Sequence, residues 1–321
     1  MRTLTKLLAA LLLPLALLQP ALAQDRGTPL RIVVPYPAGG QADALARALA
    51  NAMAAPLGRS VIVDNRPGAG GLIGTRAVQS AAADGNTILF HNSGIVSLPM
   101  LQKGANYSVL RDFAPVAYVG TGPNMLMVHQ SVPAQTVPEF IAWAKAQGGG
   151  VEAANPGIGS GGYLMAKMFE KETGIKLVHV SYKGAAETAH ALVGGEVKMQ
   201  VTTTTDALNA QIKAGKVRIL AVASEKPTPL APGVPTLNQT LPGFSIDGWN
   251  GVFAPAGTPA NRIAELSSAI KVAMADPEVR RKFMGVYIEP GYQPPEEFAR
   301  SIERMTTFWR KTIDDLGIQP Q

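Results

Sequence analysis

Short apolar runs recur along this chain with helical patterns between them, and that alternation restricts the fold more than any other feature. The runs at 32–34, 61–63, 87–90, 116–119, 126–128, 177–180, 197–201 and 219–223 have strand length and little polar alternation. Such runs predict strands buried on both faces, as in parallel sheets covered by helices. Between them Leu45, Leu49 and Met53 repeat every four residues, and Leu164 and Met168 do the same beside Met165 and Phe169. The expected fold class is α/β.

The amino terminus sets the compartment. Arg2 and Lys6 give a basic start, residues 7–18 form an apolar run broken only by Pro14, and Ala21-Leu22-Ala23 is a small-x-small cleavage site. Together they read as a secretory signal peptide, cleaved after about Ala23, with the periplasm as destination. The run falls short of the roughly 20 residues that span a bilayer. Removing residues 1–23 leaves 298, more than one core usually serves, so two lobes of about 100 to 150 residues are expected. With no cysteine in the chain, a disulfide framework, a thiolate nucleophile and Cys-ligated metals are excluded. The net charge of +6, or +4 without Arg2 and Lys6, is spread without a Lys/Arg block. Nucleic acid is not an expected partner, and a mildly positive surface helps attract anionic solutes or simply keeps the protein soluble.

The chain changes character at Gly120-Thr121-Gly122-Pro123, where glycine and proline suit a crossing strand or hinge, and again after Ser224, where a Pro-rich stretch runs from Pro227 to Pro235. Two crossings make one lobe discontinuous: lobe I comprises 24–122 and 225–321, and lobe II comprises 123–224. Ile263, Leu266, Ile270 and Met274 lie on one helical face, and a long helix is expected from Pro294 to about Leu316. These segments are expected to return and cover lobe I.

Three glycine loops punctuate the pattern. In Val33-Val34-Pro35-Tyr36-Pro37-Ala38-Gly39-Gly40-Gln41-Ala42-Asp43 a buried strand turns into a helix, whose free N–H groups and dipole favour an anion. Asp43 stabilises a first turn as well as it serves a site, and Arg47 four residues on is its natural partner. The second loop, Asn155 to Tyr163, also follows a strand and opens a helix, and Gly157, Gly159 and Gly162 match G-x-G-x-x-G. The strand after it ends in Ser181 with no acidic ribose partner, which argues against a dinucleotide, and no cofactor is expected. The third, Arg66 to Gly71, lacks the Gly-Lys-Ser/Thr ending of a phosphate loop and reads as a structural turn. Ser160 lacks the G-x-S-x-G frame of a hydrolase. His91, His129, His179 and His190 have no metal-ligand spacing, and His91 is of interest for its place beside Asn92 and Ser93 just after a strand. Tyr182-Lys183-Gly184 and Thr202 to Thr205 with Asp206 are further strand-to-helix turns. Donor-rich turns at the carboxyl ends of strands are where open α/β sheets bind ligands.

Taken together, VPYPAGGQAD from Val34, DNRPGAGGLIG from Asp64, ADGNTILF from Ala83, NPGIGSGGYL from Asn155, VSYKGAAE from Val180 with LVGGEV to Val197, IKAGKVRILAV from Ile212, GVPTL from Gly233 and WNGVFAPAGTP from Trp249 resemble the solute receptors of tripartite tricarboxylate transporters, the Bug proteins. The resemblance covers nearly the whole chain after the leader, in order. It implies a two-lobed, hinged periplasmic-binding-protein architecture of type II, each lobe a sheet flanked by helices, with no enzymatic activity. It further implies a ligand carboxylate held by backbone amides and ordered waters from the Tyr36–Asp43 and Gly157–Tyr163 loops, and family ligands include citrate-like, dicarboxylic, amino-acid and aromatic carboxylates.

On this reading the N–H groups around Ala38, Gly39 and Gly40 and around Gly159, Ser160 and Gly161 clamp one carboxylate. Asn92, Ser93, Tyr163, Thr203, Thr204 and Asp206 meet the distal part, and Asp43 pairs an ammonium if the ligand has one. Two segments depart from the family's pattern: Ser160-Gly161-Gly162-Tyr163 stands where relatives commonly carry Ser-x-x-His or a similar polar group, and Thr202 to Thr205 replaces a Phe-Asp or Ser-Asp pair. The expected partners are a small carboxylate and an inner-membrane permease, with a monomer as the default. A secreted hydrolase using Ser160, or a sensor reporting to a membrane regulatory protein, are the alternatives.

Overall fold

The computed structural model describes residues 27–157, 160–182, 184–204 and 206–320, with residues 206 and 207 by backbone alone. The leader expected at 1–23 lies outside them. Eleven strands are formed among the described residues: β1 Leu30–Val34, β2 Val61–Asn65, β3 Thr87–Asn92, β4 Phe113–Pro123, β5 Met125–His129, β6 Val151–Asn155, β7 Leu177–Ser181, β8 Met199–Thr202, β9 Val217–Val222, β10 Asp247–Pro255 and β11 Glu289–Gln293. The α-helices are α1 Gln41–Leu57, α2 Leu72–Gln79, α3 Gly94–Leu101, α4 Val109–Asp112, α5 Val137–Lys145, α6 Gly161–Thr173, α7 Ala185–Gly194, α8 Asp206–Lys213, α9 Ala260–Ala275, α10 Pro277–Gly285 and α11 Pro295–Asp315. No described helix is long and apolar enough to cross a membrane.

The strands form two sheets, ordered β11-β4-β10-β3-β1-β2 and β7-β6-β8-β5-β9. Both follow one plan. Parallel strands on one side, β2-β1-β3 or β7-β6-β8, are followed by an antiparallel strand, β10 or β5, and beyond it lie β4 and the antiparallel edge strand β11 in the first sheet and β9 in the second. The sheets are therefore mixed, and the all-parallel expectation is corrected. Strand β5, like β10, has just crossed from the other lobe. It is covered on both faces as fully as its neighbours, so burial of the run does not report its direction. This is the two-lobed α/β architecture of periplasmic binding proteins.

Each sheet is packed on both faces. One core lies between the first sheet and α1, α9 and α10, and another between the second sheet and α7 and α8. The third runs continuously from the other face of the first sheet to the other face of the second. Helix α11 binds the two ends of that core together. It packs on β4 and α3, and its Trp309 and Ile313 join the cluster that holds Phe169 of α6, where Lys171 Nζ donates to Asp315 O at 2.9 Å. The C-terminal helix expected to cover lobe I thus reaches both lobes.

The crossings lie side by side. Asn124 alone separates β4 from β5, and its carbonyl accepts from Ala223 N–H at 2.7 Å just beyond β9. Ala223 O in turn accepts from Ile246 N–H at 2.6 Å, just before β10, and Asn124 Nδ2 donates to Ile246 O at 3.3 Å. The crossing expected within 120–123 is displaced to Asn124, because β4 continues through Pro123. Gly120 and Gly122 serve a close approach instead: a Cβ on either would stand within 2.8 Å of the Ile288 side chain.

Gly251 in β10 has a similar duty. Phe298 of α11 seats its ring against Trp249, centroids 4.9 Å apart and nearly perpendicular, and against Phe253 at 5.2 Å. A Cβ on Gly251 would lie 2.1 Å from Phe298 Cζ. Gly251→Ala is expected to lose about 3 kcal/mol through overpacking, read as a lower denaturant midpoint with an unchanged slope.

Candidate functional site

The first glycine loop is held by the residues behind it. Gly39 has φ +79, and its N–H donates to Asp43 Oδ2 at 2.9 Å. Gly40 caps α1 without a side chain, so the first amide N–H groups of α1 are left for a partner ahead of the helix. Residues 37–40, Ala38 among them, are exposed. Asp43 itself is only 4% exposed. Burial pushes its carboxyl up, but hydrogen bonds from Arg47, Gly39 and Asn65 and the Arg47 charge outweigh that and hold it below the usual range. Arg47 Nε donates to Oδ2 at 3.0 Å, and another Arg47 nitrogen lies 3.0 Å from Oδ1 in poor hydrogen-bond alignment. Asn65, at the end of β2, accepts from Arg47 at 3.2 Å and donates to Tyr36 O at 3.2 Å. The charge of Asp43 thus faces the loop it braces.

Tyr36 is fixed from the end of β3. Its hydroxyl donates to Asn92 Oδ1 at 2.9 Å and lies 3.4 Å from His91 Nδ1, with the two rings edge to face at 5.4 Å. His91 is fully buried, and burial pushes it down to about 4, so it is neutral near pH 7. Nδ1 stands 2.8 Å from Asn92 O. A carbonyl only accepts, which assigns the proton to Nδ1 and leaves Nε2 a buried acceptor with no partner among the described residues. Nε2 faces Gly71, where a Cβ would be 3.2 Å away. The third glycine loop therefore backs the first. A Cβ on Gly74 would meet Pro35 Cβ at 2.7 Å and Arg66 O at 2.9 Å, so only a bare backbone fits there.

The second loop is latched by Asn155, which is fully buried at the end of β6. Its Oδ1 accepts from Gly157 N–H at 3.2 Å and Ser181 Oγ at 3.0 Å, and its Nδ2 donates to Val180 O at 3.3 Å. Gly157 has φ +116. Ser160 caps α6, its Oγ accepting from Tyr163 N–H at 3.2 Å; that hydroxyl has a structural duty, and no base is hydrogen-bonded to it among the described residues. Gly161 opens the helix. Tyr163 sets its ring edge-on to His179 of β7 at 5.5 Å, packed against the shared core, and His179 Nε2 is 3.0 Å from Glu170 Oε2. The expected cleft aromatic is thus engaged with the sheet edge, because a residue in the first turn of α6 faces the strand beneath it. Gly159 lies outside the described residues.

A chain of contacts joins the two loops across the crossings. A Cβ on Gly162 would stand 3.5 Å from Thr202 Cβ, one on Gly122 would stand 3.7 Å from Thr203 Cγ2, and one on Gly248 would stand 3.1 Å from Gly122 O and 3.7 Å from Ser93 Oγ. Ser93 and Thr203, from different sheets, therefore border the same floor. Thr204 is buried, with Oγ1 donating to Asn209 Oδ1 at 2.9 Å. Asp206 opens α8 and is described by backbone alone. Of three basic residues that could meet a second carboxylate, Arg76 donates to Gly104 O, Arg218 donates to Ala134 O at 2.8 Å, and Lys183 lies outside the described residues.

Motif reading passed over Gln41, Asn124, Asn155 as a latch, and Asp247. Only Asn155 carried a signal, as the first residue of its glycine loop; the others are defined by partners distant in sequence. Gln41 Nε2 donates to Val286 O at 2.6 Å. Asp247 opens β10 opposite Pro123 with a buried, unpartnered Oδ1. Burial pushes its carboxyl up to about 6 against the pull of the Glu225 N–H, and the charges of Glu225 and Glu289 add to the rise.

Two hinged sheets with glycine-turned helix starts at a common floor define the class of two-lobed solute receptors. The chain belongs to the family described as the tripartite tricarboxylate transporter family receptor, which it matches over residues 45–318. It is 32% identical to protein BugT of Bordetella pertussis over 295 residues, 90% of this chain and 89% of the relative. Among solved structures it resembles Rpa4515 of R. palustris with adipate, at 30% identity, TM-score 0.82 and coverage of 92% and 99%. It also resembles MatC of Rhodopseudomonas palustris with bound malate, at 27% identity, TM-score 0.74 and coverage of 88% and 98%. The proteins of this family are solute-binding receptors of the periplasm, not enzymes.

Asn155→Ala is expected to strand the Gly157 N–H and the Ser181 hydroxyl, costing about 2 kcal/mol of stability in chemical denaturation. For Asp247, a carboxyl whose value is raised on folding binds its proton more tightly in the folded state. Its favourable contribution is complete below the unfolded value and lost as pH rises through about 6. Wild type is expected to lose on the order of 2 kcal/mol between pH 4.5 and 7 relative to Asp247→Asn, read as a difference between the two pH–stability curves.

Proposed function

We propose that this protein binds a small carboxylate between its lobes and presents the closed, loaded form to the inner-membrane permease of a tripartite transporter. The observation that carries the reading is the first loop: the first N–H groups of α1 have no side-chain cap, while the Gly39 and Gly40 N–H groups expected in the clamp are spent shaping the loop, on Asp43 Oδ2 at 2.9 Å and Pro37 O at 3.4 Å, and Arg47 neutralises the bracing carboxylate. Oriented N–H groups and the helix dipole hold an anion without a cationic side chain. The second loop supplies the opposing amide of Gly161 at the start of α6, the Ser160 N–H being held by Gly157 O at 3.1 Å, and Asn92, Ser93 and Thr203 border the distal part. Asp43, facing the loop and paired with Arg47, acts as its brace.

In this reading lobe I comprises 24–122 and 225–321 and lobe II comprises 123–224, with the paired crossings as hinge, and a single copy binds the ligand. Adipate bound to Rpa4515 and malate bound to MatC support the carboxylate class. Closure excludes water, which strengthens every hydrogen bond to the anion. The test is a thermal-shift screen of the chain from residue 24 against di- and tricarboxylates, aromatic acids and acidic amino acids. A true ligand at about 100 times its Kd adds roughly 2.7 kcal/mol and raises Tm clearly. Folded, ligand-free protein that responds to no carboxylate would contradict the proposal.

A further inference from the structure

Helix α10 ends in a turn whose left-handed position is occupied by a tyrosine. Tyr287 has φ +60. Its N–H donates to Met284 O at 3.1 Å, and the next N–H, of Ile288, donates to Phe283 O at 3.0 Å, the pair of bonds that defines a Schellman ending. Glycine normally fills this position because a Cβ crowds the left-handed conformation. A bulky residue there persists only where its surroundings require it, and such residues gather at ligand clamps and switch regions. The apolar interior supplies no such requirement. Tyr287 is half-buried, yet it belongs to none of the three cores, although Val286 and Tyr292 on either side pack against one.

Its place in the fold supplies one. Val286 O receives Gln41 Nε2 at 2.6 Å, and Gln41 follows Gly40 directly, so the turn is tied to the start of the first loop's helix. On the other side, Tyr287 O lies 3.8 Å, and Thr203 Cγ2 3.7 Å, from the point where a Cβ on Gly122 would stand. The backbone of the Tyr287 turn therefore stands beside the first loop, the crossing strand and the end of β8 at once.

We infer that Tyr287 is a specificity-determining residue of the interlobe cleft, its ring set against the distal part of the bound carboxylate. The inference rests on the receptor reading given above. A phenol ring offers an apolar face to a methylene chain and a hydroxyl to a distal oxygen, which suits a linear dicarboxylate whose first carboxylate is held by the amide loops. The backbone strain is retained because glycine would leave that side of the cleft open.

Tyr287→Gly and Tyr287→Asn place residues at ease with positive φ in the same turn. Calorimetric titration of wild type and both variants with malate, succinate, glutarate and adipate, beside melting curves without ligand, tests the inference. The expected result is a ligand-free Tm about 2 °C higher in Tyr287→Gly. With it, affinity for the tightest dicarboxylate falls about tenfold, and the ranking of short against long diacids changes. Unchanged affinities and ranking overturn the inference while leaving the receptor reading intact. A ligand-free Tm that falls in both variants overturns it as well, since the ring is then structural packing. Wild-type protein that binds none of the four acids contradicts the dicarboxylate reading and this inference with it.

Discussion

The double crossing at Asn124 is the constraint on which the rest of the structure depends. Three hydrogen bonds among Asn124, Ala223 and Ile246 clip the outgoing and returning chains together, so the backbone passes between the two sheets at one narrow place. Because each crossing continues as an antiparallel strand inside a sheet, the hinge proposed above has only a few backbone dihedrals to turn about. The strands themselves are locked on both faces by cores that a small rotation does not open. A hinge made this way is stiff along the strands and soft about the crossing, as a binding cleft that must close over its ligand requires. The shared core and α11 add a second tie between the lobes, one made of apolar contact.

The anion loops inherit their precision from this frame. Each follows a parallel strand one place removed from a crossing strand, β1 across β3 from β10 and β6 across β8 from β5, and each is shaped from below by a buried side chain: Asp43 with Arg47 for the first, Asn155 for the second. Neither loop offers a cationic side chain of its own among the described residues. Recognition by backbone amides is selective for the geometry of a carboxylate and indifferent to what the remainder of the ligand is. That division fits a family in which one relative holds malate and another adipate. On the proposed reading discrimination falls to residues at the rim and floor, such as Ser93, Thr203 and Tyr287.

Much of this was legible in the sequence, and what was missed has a physical pattern. All eight strands read from apolar runs are present, and so are the long terminal helix and the three glycine loops, because each is encoded by local periodicity or by a local need for φ above zero. Strand direction was not legible: a buried antiparallel strand such as β5 presents the same uniform apolar run as its parallel neighbours. Strands β10 and β11 were missed for composition, since DGWNGVFAP and EPGYQ carry the glycines and prolines that mark turns. In β10 the glycine at 251 is demanded by the Phe298 ring, a partner 47 residues away. The same limit explains Tyr163, whose ring lies against His179, and Gly120 and Gly122, which read as hinge residues and make room for Ile288.

The central claim is that backbone amides bind a carboxylate as an anion, and one comparison tests it most directly. Calorimetric titration of the wild-type protein with its best carboxylate ligand is set beside titration with the amide that replaces each carboxylate of that same molecule. The account predicts that the amide loses binding by at least about a hundredfold, because an amide carries no charge for the helix dipole and directs its own N–H groups at the loop donors. An amide that binds as tightly as the acid would contradict it.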